Sequence, residues 1–261
     1  MPNVSAHYEA LAASGDIERD HAQEIVAGKL TRLEASLAEH RLARKSSALG
    51  WLFASRQRRD PEIKGLYIHG EVGRGKTMLM DMFFARSAIA RKRRAHFHEF
   101  MSEAHERIHA FRQRLKRGEI AEDDPVRLAA TALAAETSLL CFDEFQVTDI
   151  ADAMILGRLF ARLFELNVVV VATSNVAPHE LYRDGLNRAL FLPFIKLIEE
   201  WLEVASDRVD EALRWLRDSA EWDAAQLSNL TSVDRHTHFE VVYHLQSLDL
   251  NHQIAVKALV E

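Results

Sequence analysis

The segment Gly70–Thr77 (GEVGRGKT) constrains the fold more than any other part of this sequence, because it fits the pattern G-x-x-x-x-G-K-[ST] in full. In such a loop, glycines let backbone N–H groups turn inward around a phosphate, and the positive end of the following helix points at the same anion. The pattern requires a strand before it and a helix after it. Lys64–His69 predicts that buried strand, and Lys76–Ala90, rich in Met, Leu, Phe and Ala, predicts that helix.

Individual residues of this loop are expected to contact different parts of a bound nucleoside triphosphate. The side chain of Lys76 can reach the β and γ phosphates, and the hydroxyl of Thr77 can coordinate Mg²⁺. The predicted nucleotide-binding residues are consecutive: Gly70, Glu71, Val72, Gly73, Arg74, Gly75, Lys76, Thr77 and Met78.

An acidic pair, Asp143–Glu144, follows the apolar strand predicted over Ser138–Phe142. Ligands of α/β sheets bind at the carboxyl ends of strands, so this pair is well placed. Asp143 is predicted to hold Mg²⁺ through its water shell, and Glu144 to polarise the attacking water as a general base. Acidic pairs after apolar strands are common, so the prediction depends on the position of this pair, 66 residues after Thr77, in an alternating α/β pattern.

Two further polar residues are candidates for a role in hydrolysis. Asn175 follows the strand predicted over Asn167–Thr173, where its amide can hydrogen-bond the γ-phosphate or the lytic water; the alternative is an Asn that starts the loop before Pro178. Arg188 can be offered to the ATP of a neighbouring subunit, where it would stabilise transition-state charge. A solvated Arg188, or use of Arg183 instead, is the alternative.

The remaining apolar patterns alternate between strand and helix. A strand is predicted over Ala95–Phe100, and helices over Ser102–Arg117, Val126–Glu136 and Asp149–Leu166. This alternation predicts an α/β fold, a P-loop NTPase with a mostly parallel sheet and helices on both faces.

Three regions are predicted along the chain. Residues 1–60 form an N-terminal helical region, because His7–Arg44 has helical spacing of apolar residues. Residues 61–206 form the P-loop core. Residues 207–261 form a small α+β appendage that need not fold completely.

Composition restricts the classes of function. A net charge of −6 argues against a protein that is basic throughout and coats nucleic acid, so no specific nucleic-acid binding is expected. The runs Arg56–Arg59 and Arg91–Arg94 favour solvated basic faces, with an acidic partner, nucleic acid or anionic lipid as the alternative. The single cysteine, Cys141, cannot form an internal disulfide, which predicts a small core residue in a cytoplasmic protein. No run approaches 18 apolar residues, so a membrane-spanning helix is not expected.

The segment His105–His109 matches H-E-x-x-H, a pattern typical of zinc proteases. With 13 histidines in the chain, an accidental match is common, and no third ligand is evident. His96 and His98, expected on one face of the strand, are as well explained by packing. Zinc hydrolysis is therefore not predicted.

From about His7 to Ser206 the chain resembles the ZapE family, the bacterial relatives of mitochondrial AFG-type ATPases. The resemblance is carried by Lys64–Phe84, His96–Met101, Leu139–Asp152, Thr173–Asn175 and Asp184–Ile195. It implies an ATPase of the AAA+ type, with ATP and Mg²⁺ as ligands, that forms a homo-oligomeric ring. It also implies action on a protein partner in cell division, and a cytoplasmic location with peripheral association at the inner membrane.

The end of the chain, Arg208–Glu261, resembles instead the first half of the C subunit of NADH-quinone oxidoreductase. The similarity lies in Leu213–Asp218, Leu230–Asp234 and Phe239–Leu248. In the ZapE family this position holds a helical lid that completes the nucleotide site. Two functions therefore stay open: an active ATPase, or a nucleotide-binding protein whose hydrolysis is impaired because the lid is missing.

Overall fold

A computed structural model describes residues 3–50, 63–121 and 124–206, with the backbone alone over 41–50. The helices are α1 (Val4–Ser14), α2 (His21–Gly50), α3 (Lys76–Arg86), α4 (Phe97–Lys116), α5 (Pro125–Glu136), α6 (Ile150–Glu165) and α7 (Leu192–Trp201). The strands are β1 (Gly65–His69), β2 (Lys92–His96), β3 (Leu139–Asp143), β4 (Val169–Ser174) and β5 (Leu202–Ser206). Two single-turn 3-10 helices, Pro178–Glu180 and Arg188–Leu190, precede α7.

The basic run Arg56–Arg59 and the appendage predicted over 207–261 lie outside the described residues. The predicted division at 60/61 and 206/207 therefore stays a prediction. The described residues up to Ala205 belong to one compact unit.

The five strands form one sheet in the order β2-β3-β4-β1-β5. β2 pairs with β3, β3 with β4, and β4 with β1, each pair in parallel, with Cys141 opposite both Arg94 and Val171. Parallel neighbours need a crossover, and helices supply it between these strands. The sheet confirms the predicted α/β fold with a mostly parallel sheet, and helices precede its first strand.

Alternate residues of the central strands face opposite sides of the sheet, and both sides are covered. Cys141 and Val171 point into a core shared with α2 and α3. Phe142 and Ala172 point into a core shared with α4, α5, α6 and α7. Burial on both faces explains why β3 and β4 are almost continuously apolar in sequence, as expected of strands inside a covered parallel sheet.

Cys141 lies in the first of these cores with no exposed surface, as predicted for a small core residue. Burial raises the pKa of its thiol to about 12. Since the thiolate is the reactive form, we expect Cys141 to resist alkylation in the native protein at pH 8 and to react fully in urea. Mass spectrometry after iodoacetamide treatment measures this difference. Rapid alkylation under native conditions would contradict the buried position.

The boundary between the second strand and the following helix differs from the prediction. The strand was expected over Ala95–Phe100, but β2 spans Lys92–His96, and α4 begins at Phe97. The basic run expected to be a solvated face therefore forms most of β2, which lies at the edge of the sheet that the described strands form. Charged side chains are common on edge strands.

Side chains of the basic run are held by partners within the described part of the fold. On one side of β2, Lys92 donates to backbone carbonyls at the end of α3, including that of Ser87 at 2.9 Å, which stabilises the helix terminus. On the other side, Arg93 forms an ion pair with Glu103 of α4. The side chains of this run thus stabilise the edge of the sheet.

The histidines of interest do not form a metal site in this part of the chain. His96 ends β2 and His98 lies in α4, so they do not share a strand face, although their rings stack with centroids 5.8 Å apart. His105 contacts Asp152 of α6 at 2.6 Å. Over residues 3–50, 63–121 and 124–206, no group of three or more His, Cys, Asp or Glu residues could hold a metal ion.

No helix among these described residues is both long and apolar enough to cross a membrane.

Candidate functional site: a phosphate-binding loop beside two carboxylates

The loop between β1 and α3 requires glycine at two positions. Gly73 and Gly75 have φ of 82° and 75°, a left-handed conformation that residues with a Cβ rarely adopt. A Cβ on Gly75 would also lie 2.9 Å from the side-chain amide of Gln23 on α2. Gly75, which the sequence pattern specifies, and Gly73, at a position that the pattern leaves open, are thus both needed for the path of the backbone.

The side chain of Lys76, the first residue of α3, extends back toward the start of the loop. Its ammonium group donates to the carbonyl oxygens of Gly70 at 2.9 Å and Glu71 at 2.6 Å. A cation is therefore held above the loop at the start of a helix, where an anion is favoured by the helix dipole as well.

The hydroxyl of Thr77 joins the loop to the second acidic element. It donates to Oδ1 of Asp143 at 2.9 Å across 66 residues of sequence. The same oxygen accepts from the hydroxyl of Thr173 at 2.7 Å and from the backbone N–H of Glu144 at 3.1 Å. The start of α3, the end of β4 and the residue after β3 therefore each donate a hydrogen bond to one carboxylate oxygen.

Burial alone would raise the pKa of Asp143, which is 7% exposed. The hydrogen bonds from Thr173 and Thr77, with the positive charge of Arg94, outweigh burial and lower the pKa below its ordinary value. Asp143 is therefore ionised at neutral pH, as a ligand for a divalent cation must be.

Glu144 leaves the strand in a left-handed conformation, with φ of 54°. This turn is fixed on both sides, since the N–H of Glu144 donates to Asp143 and the N–H of Phe145 donates to the carbonyl of Thr173 at 2.7 Å. Left-handed backbone at a residue with a Cβ is uncommon and clusters at functional sites. The consequence is that the side chain of Glu144 is exposed beside a buried aspartate.

These groups surround a cavity of about 360 Å³. Its lining residues are Val72, Gly73, Arg74, Gly75, Lys76, Thr77, Asp143, Glu144, Thr173, Ser174 and Asn175. Among the predicted site residues, the structure thus brings Asn175 to the cavity together with the loop and the acidic pair.

Four predicted site residues do not line this cavity: Gly70, Glu71, Met78 and Arg188. Gly70 uses its N–H to extend the sheet, donating to Ser174 at 3.3 Å, and Met78 packs against the core between α2, α3 and the sheet. Arg188 is half-buried and donates to the carbonyl of His179, one turn from the start of α7. The structure therefore does not bring Arg188 to this cavity of its own chain, and its action in trans stays a prediction.

Sequence reasoning missed Thr173 as a partner of Asp143. A signal was present, because Thr173 and Ser174 are polar residues at the carboxyl end of a strand that is otherwise Val and Ala. Polar side chains at that end of a parallel strand are candidates for the ligand site.

Sequence reasoning also missed the contact between α2 and the loop. The amide of Gln23 donates to the carbonyl of Arg74 at 3.2 Å, and the guanidinium of Arg74 lies 3.2 Å from the carboxylate of Asp20. No local pattern could have predicted this contact, since 51 residues separate Gln23 from Arg74.

The oxygen groups at the base of the cavity suit a magnesium ion. The hydroxyl of Thr77 and the carboxylate of Asp143 are hard oxygen donors, and Mg²⁺ prefers one or two protein carboxylates with the remaining ligands supplied by water and phosphate. Their proximity at 2.9 Å, next to the loop, fits such a site.

Comparison with known proteins places this site in a family. Residues 3–252 match the family model described as AFG1-like ATPase. Lactation elevated protein 1 homolog B of Danio rerio is 52% identical over 146 residues, which are 55% of this chain and 29% of that protein. Cell division protein ZapE of Escherichia coli (strain K12) is 46% identical over 162 residues, 61% of this chain and 41% of that protein. The chain spans less than half the length of these two relatives.

Two further similarities concern the fold and the second predicted resemblance. A crystal structure of DnaI is similar with a TM-score of 0.46 and 15% identity, covering 74% of this chain and 88% of that one. The C subunit of the NADH-quinone oxidoreductase of Maricaulis maris (strain MCS10) is 42% identical over 59 residues, 22% of this chain and 30% of that protein. Both resemblances predicted from the sequence are thus confirmed. Because the family model covers residues 3–252, the protein belongs to the AFG1-like ATPase family.

Proposed function

We propose that this protein binds ATP with Mg²⁺ at the cavity beside Gly70–Thr77 and hydrolyses it. The observation that carries the proposal is the hydrogen bond of 2.9 Å between Thr77 and Asp143, which joins the phosphate loop to the acidic pair. The membership in a family of ATPases supports ATP as the nucleotide. Mg²⁺, when bound, would neutralise charge on the phosphates.

The protein groups around the cavity divide the work between binding and hydrolysis. The N–H groups of the loop and the ammonium of Lys76 would bind the phosphates, for which Lys76 must leave the carbonyls of Gly70 and Glu71. Thr77 and Asp143 would hold the metal. The exposed carboxylate of Glu144 would orient the attacking water, and the amide of Asn175 would contact the water or the γ-phosphate.

We propose further that the protein uses ATP hydrolysis to act on a protein partner. We also propose that it does so as a homo-oligomeric ring. Arg188 lies outside the cavity of its own chain and donates to the carbonyl of His179, so in this proposal it would leave that carbonyl to reach the ATP of a neighbouring subunit. The relative from Escherichia coli is named as a cell division protein, which supports a partner in the division machinery. Peripheral association with the inner membrane is part of the proposal because the resemblance to the ZapE family implies it.

A second candidate function is nucleotide binding with impaired hydrolysis. It is favoured by the similarity of part of the chain to the C subunit of NADH-quinone oxidoreductase, because the resemblance to the ZapE family implies a helical lid at that place. The two candidates differ in turnover and share nucleotide binding.

ATP turnover measured over a range of protein concentrations tests the proposal. For a ring in which Arg188 acts in trans, we expect activity per subunit to rise with concentration, and Lys76→Ala to lose nucleotide binding because the cation above the loop is gone. Arg188→Ala should lose turnover and keep binding. Binding without turnover at any concentration would favour the second candidate, and no binding at all would reject both.

A further inference from the structure

Arg94 lies on β2 between two carboxylates, Asp81 on α3 and Asp143 at the end of β3. Its Nε donates to Oδ1 of Asp81, while its Nη2 lies 3.4 Å from Oδ2 of Asp81 and 3.1 Å from Oδ2 of Asp143. The side chain of Arg94 is 28% exposed and that of Asp143 is 9% exposed, so water screens the contact only in part. One guanidinium thus links the helix that follows the phosphate loop to the acidic pair.

The two oxygens of Asp143 have different partners. Oδ1 accepts from Thr77, Thr173 and the N–H of Glu144, which fills the lone pairs that a carboxylate oxygen can offer. Oδ2 is therefore the oxygen with remaining capacity to accept from a metal-bound water. Arg94 contacts this oxygen.

An arginine at this place has two opposing effects on a cation site. Its N–H group fixes the orientation of Asp143, but its positive charge repels a cation and competes with it for Oδ2. Asp81 balances that charge and draws the Nε edge of the guanidinium toward α3. The pair supplies a directed hydrogen bond to Asp143 while adding no net charge.

We propose that Asp81 and Arg94 act as a neutral positioning pair, which orients the carboxylate of Asp143 and keeps Oδ2 available to the Mg²⁺ that accompanies the nucleotide. This inference rests on the proposed function of the same site. Neither residue lines the nucleotide cavity, so their effect reaches the ligand through Asp143.

The substitution Asp81→Asn tests the pair, because it leaves the charge of Arg94 without its counter-ion. Arg94 should then bind Asp143 more tightly, and the gain in affinity that Mg²⁺ gives to nucleotide binding should fall by about tenfold, the effect expected of one charge-assisted hydrogen bond. The measurement is the dissociation constant of AMPPCP in EDTA and across a MgCl₂ series, by calorimetry. The constant in EDTA should equal that of the parent protein.

A double substitution provides the specific signature of a neutral pair. Adding Arg94→Gln to Asp81→Asn removes both charges, so most of the Mg²⁺ dependence should return although a second residue has been changed. A merely structural role would instead make the double variant worse than the single one.

The matched control is the ion pair of the neighbouring residue on the same strand. Arg93 and Glu103 have side chains 31% and 27% exposed, similar to the 28% of Arg94. Arg93 follows Lys92 and precedes Arg94 on β2, so its side chain points to the opposite face of the strand from that of Arg94. Glu103→Gln should leave the Mg²⁺ dependence of AMPPCP binding unchanged.

Each outcome of these measurements supports or rejects the inference that Asp81 and Arg94 act as a positioning pair. If the parent shows Mg²⁺-dependent binding and Asp81→Asn behaves like Glu103→Gln, the inference is rejected while the proposed function stands. If the parent shows no Mg²⁺ dependence, both are rejected. If Asp81→Asn does not fold, Arg94→Lys replaces it, since an ammonium keeps the charge but cannot span both carboxylates; equal Mg²⁺ dependence in Arg94→Lys and Arg93→Lys then rejects the inference.

Discussion

The substitution Glu144→Gln should keep ATP binding intact and reduce turnover by a factor on the order of 10² to 10⁴, the range for loss of a general base. Binding should persist because the contact that Glu144 makes to Asp143 comes from its backbone N–H, which glutamine retains. Turnover should fall because an amide cannot take a proton from the attacking water. The left-handed backbone at this position is kept as well, so the side-chain charge is the variable under test.

Single-turnover hydrolysis and AMPPCP binding, measured on the same preparations, separate the two effects. Glu165→Gln is the matched control, since Glu165 ends α6 and forms an exposed ion pair with Arg162 at 2.9 Å. Exposed pairs of this kind contribute little to stability, so its turnover should equal that of the parent. Parent-like turnover in Glu144→Gln would remove Glu144 from the proposed mechanism.

The substitution Gly65→Ala should destabilise the protein by about 3 kcal/mol, as expected of an overpacked core position. A Cβ at Gly65 would lie 1.9 Å from the carbonyl oxygen of Val170 on β4 and 2.6 Å from the side chain of Leu202 on β5. The carbonyl belongs to the central sheet and cannot move away without disturbing the pairing of β1 with β4. Because β1 leads into the phosphate loop, we expect the affinity for nucleotide to fall together with the free energy of unfolding.

The substitution Gly28→Ala should have the opposite effect on the free energy of unfolding and raise it. Gly28 lies inside α2, and a Cβ there meets nothing within 4 Å, so alanine should stabilise the helix by about 0.5–1 kcal/mol. Urea unfolding followed by circular dichroism measures both free energies of unfolding. If both variants were equally stable, the close approach of β1 and β4 would be contradicted.

The location of the phosphate loop was predictable because its signal is local. A glycine pattern between an apolar strand and an apolar helix specifies a strand, a left-handed loop and a helix start within about 20 residues, and the structure has β1, Gly73 and Gly75 at positive φ, and α3 in that order. The strand before Asp143 was predictable for a similar reason, since a strand buried on both faces has a continuous apolar sequence.

The start of α4 was not predictable from the same kind of pattern. The sequence of Ala95–Phe100 alternates like a strand, whereas the structure begins a helix at Phe97 and uses the basic run before it as the strand. Partners distant in sequence decide this register: Arg94 reaches Asp81 and Asp143, and Arg93 reaches Glu103. Tertiary contacts of this kind override local propensity.

The fold class, the phosphate loop and the acidic pair could be predicted from local sequence patterns, because each depends on residues close together in the chain. The side chains around Asp143 could not be predicted in this way, since Thr77, Arg94 and Thr173 come from three different elements that only the folded chain brings together. The folded chain also places Arg188 away from the cavity of its own chain. The reason is physical: hydrogen bonds and ion pairs depend on distances of about 3 Å, and only the packing of the sheet and its helices sets those distances.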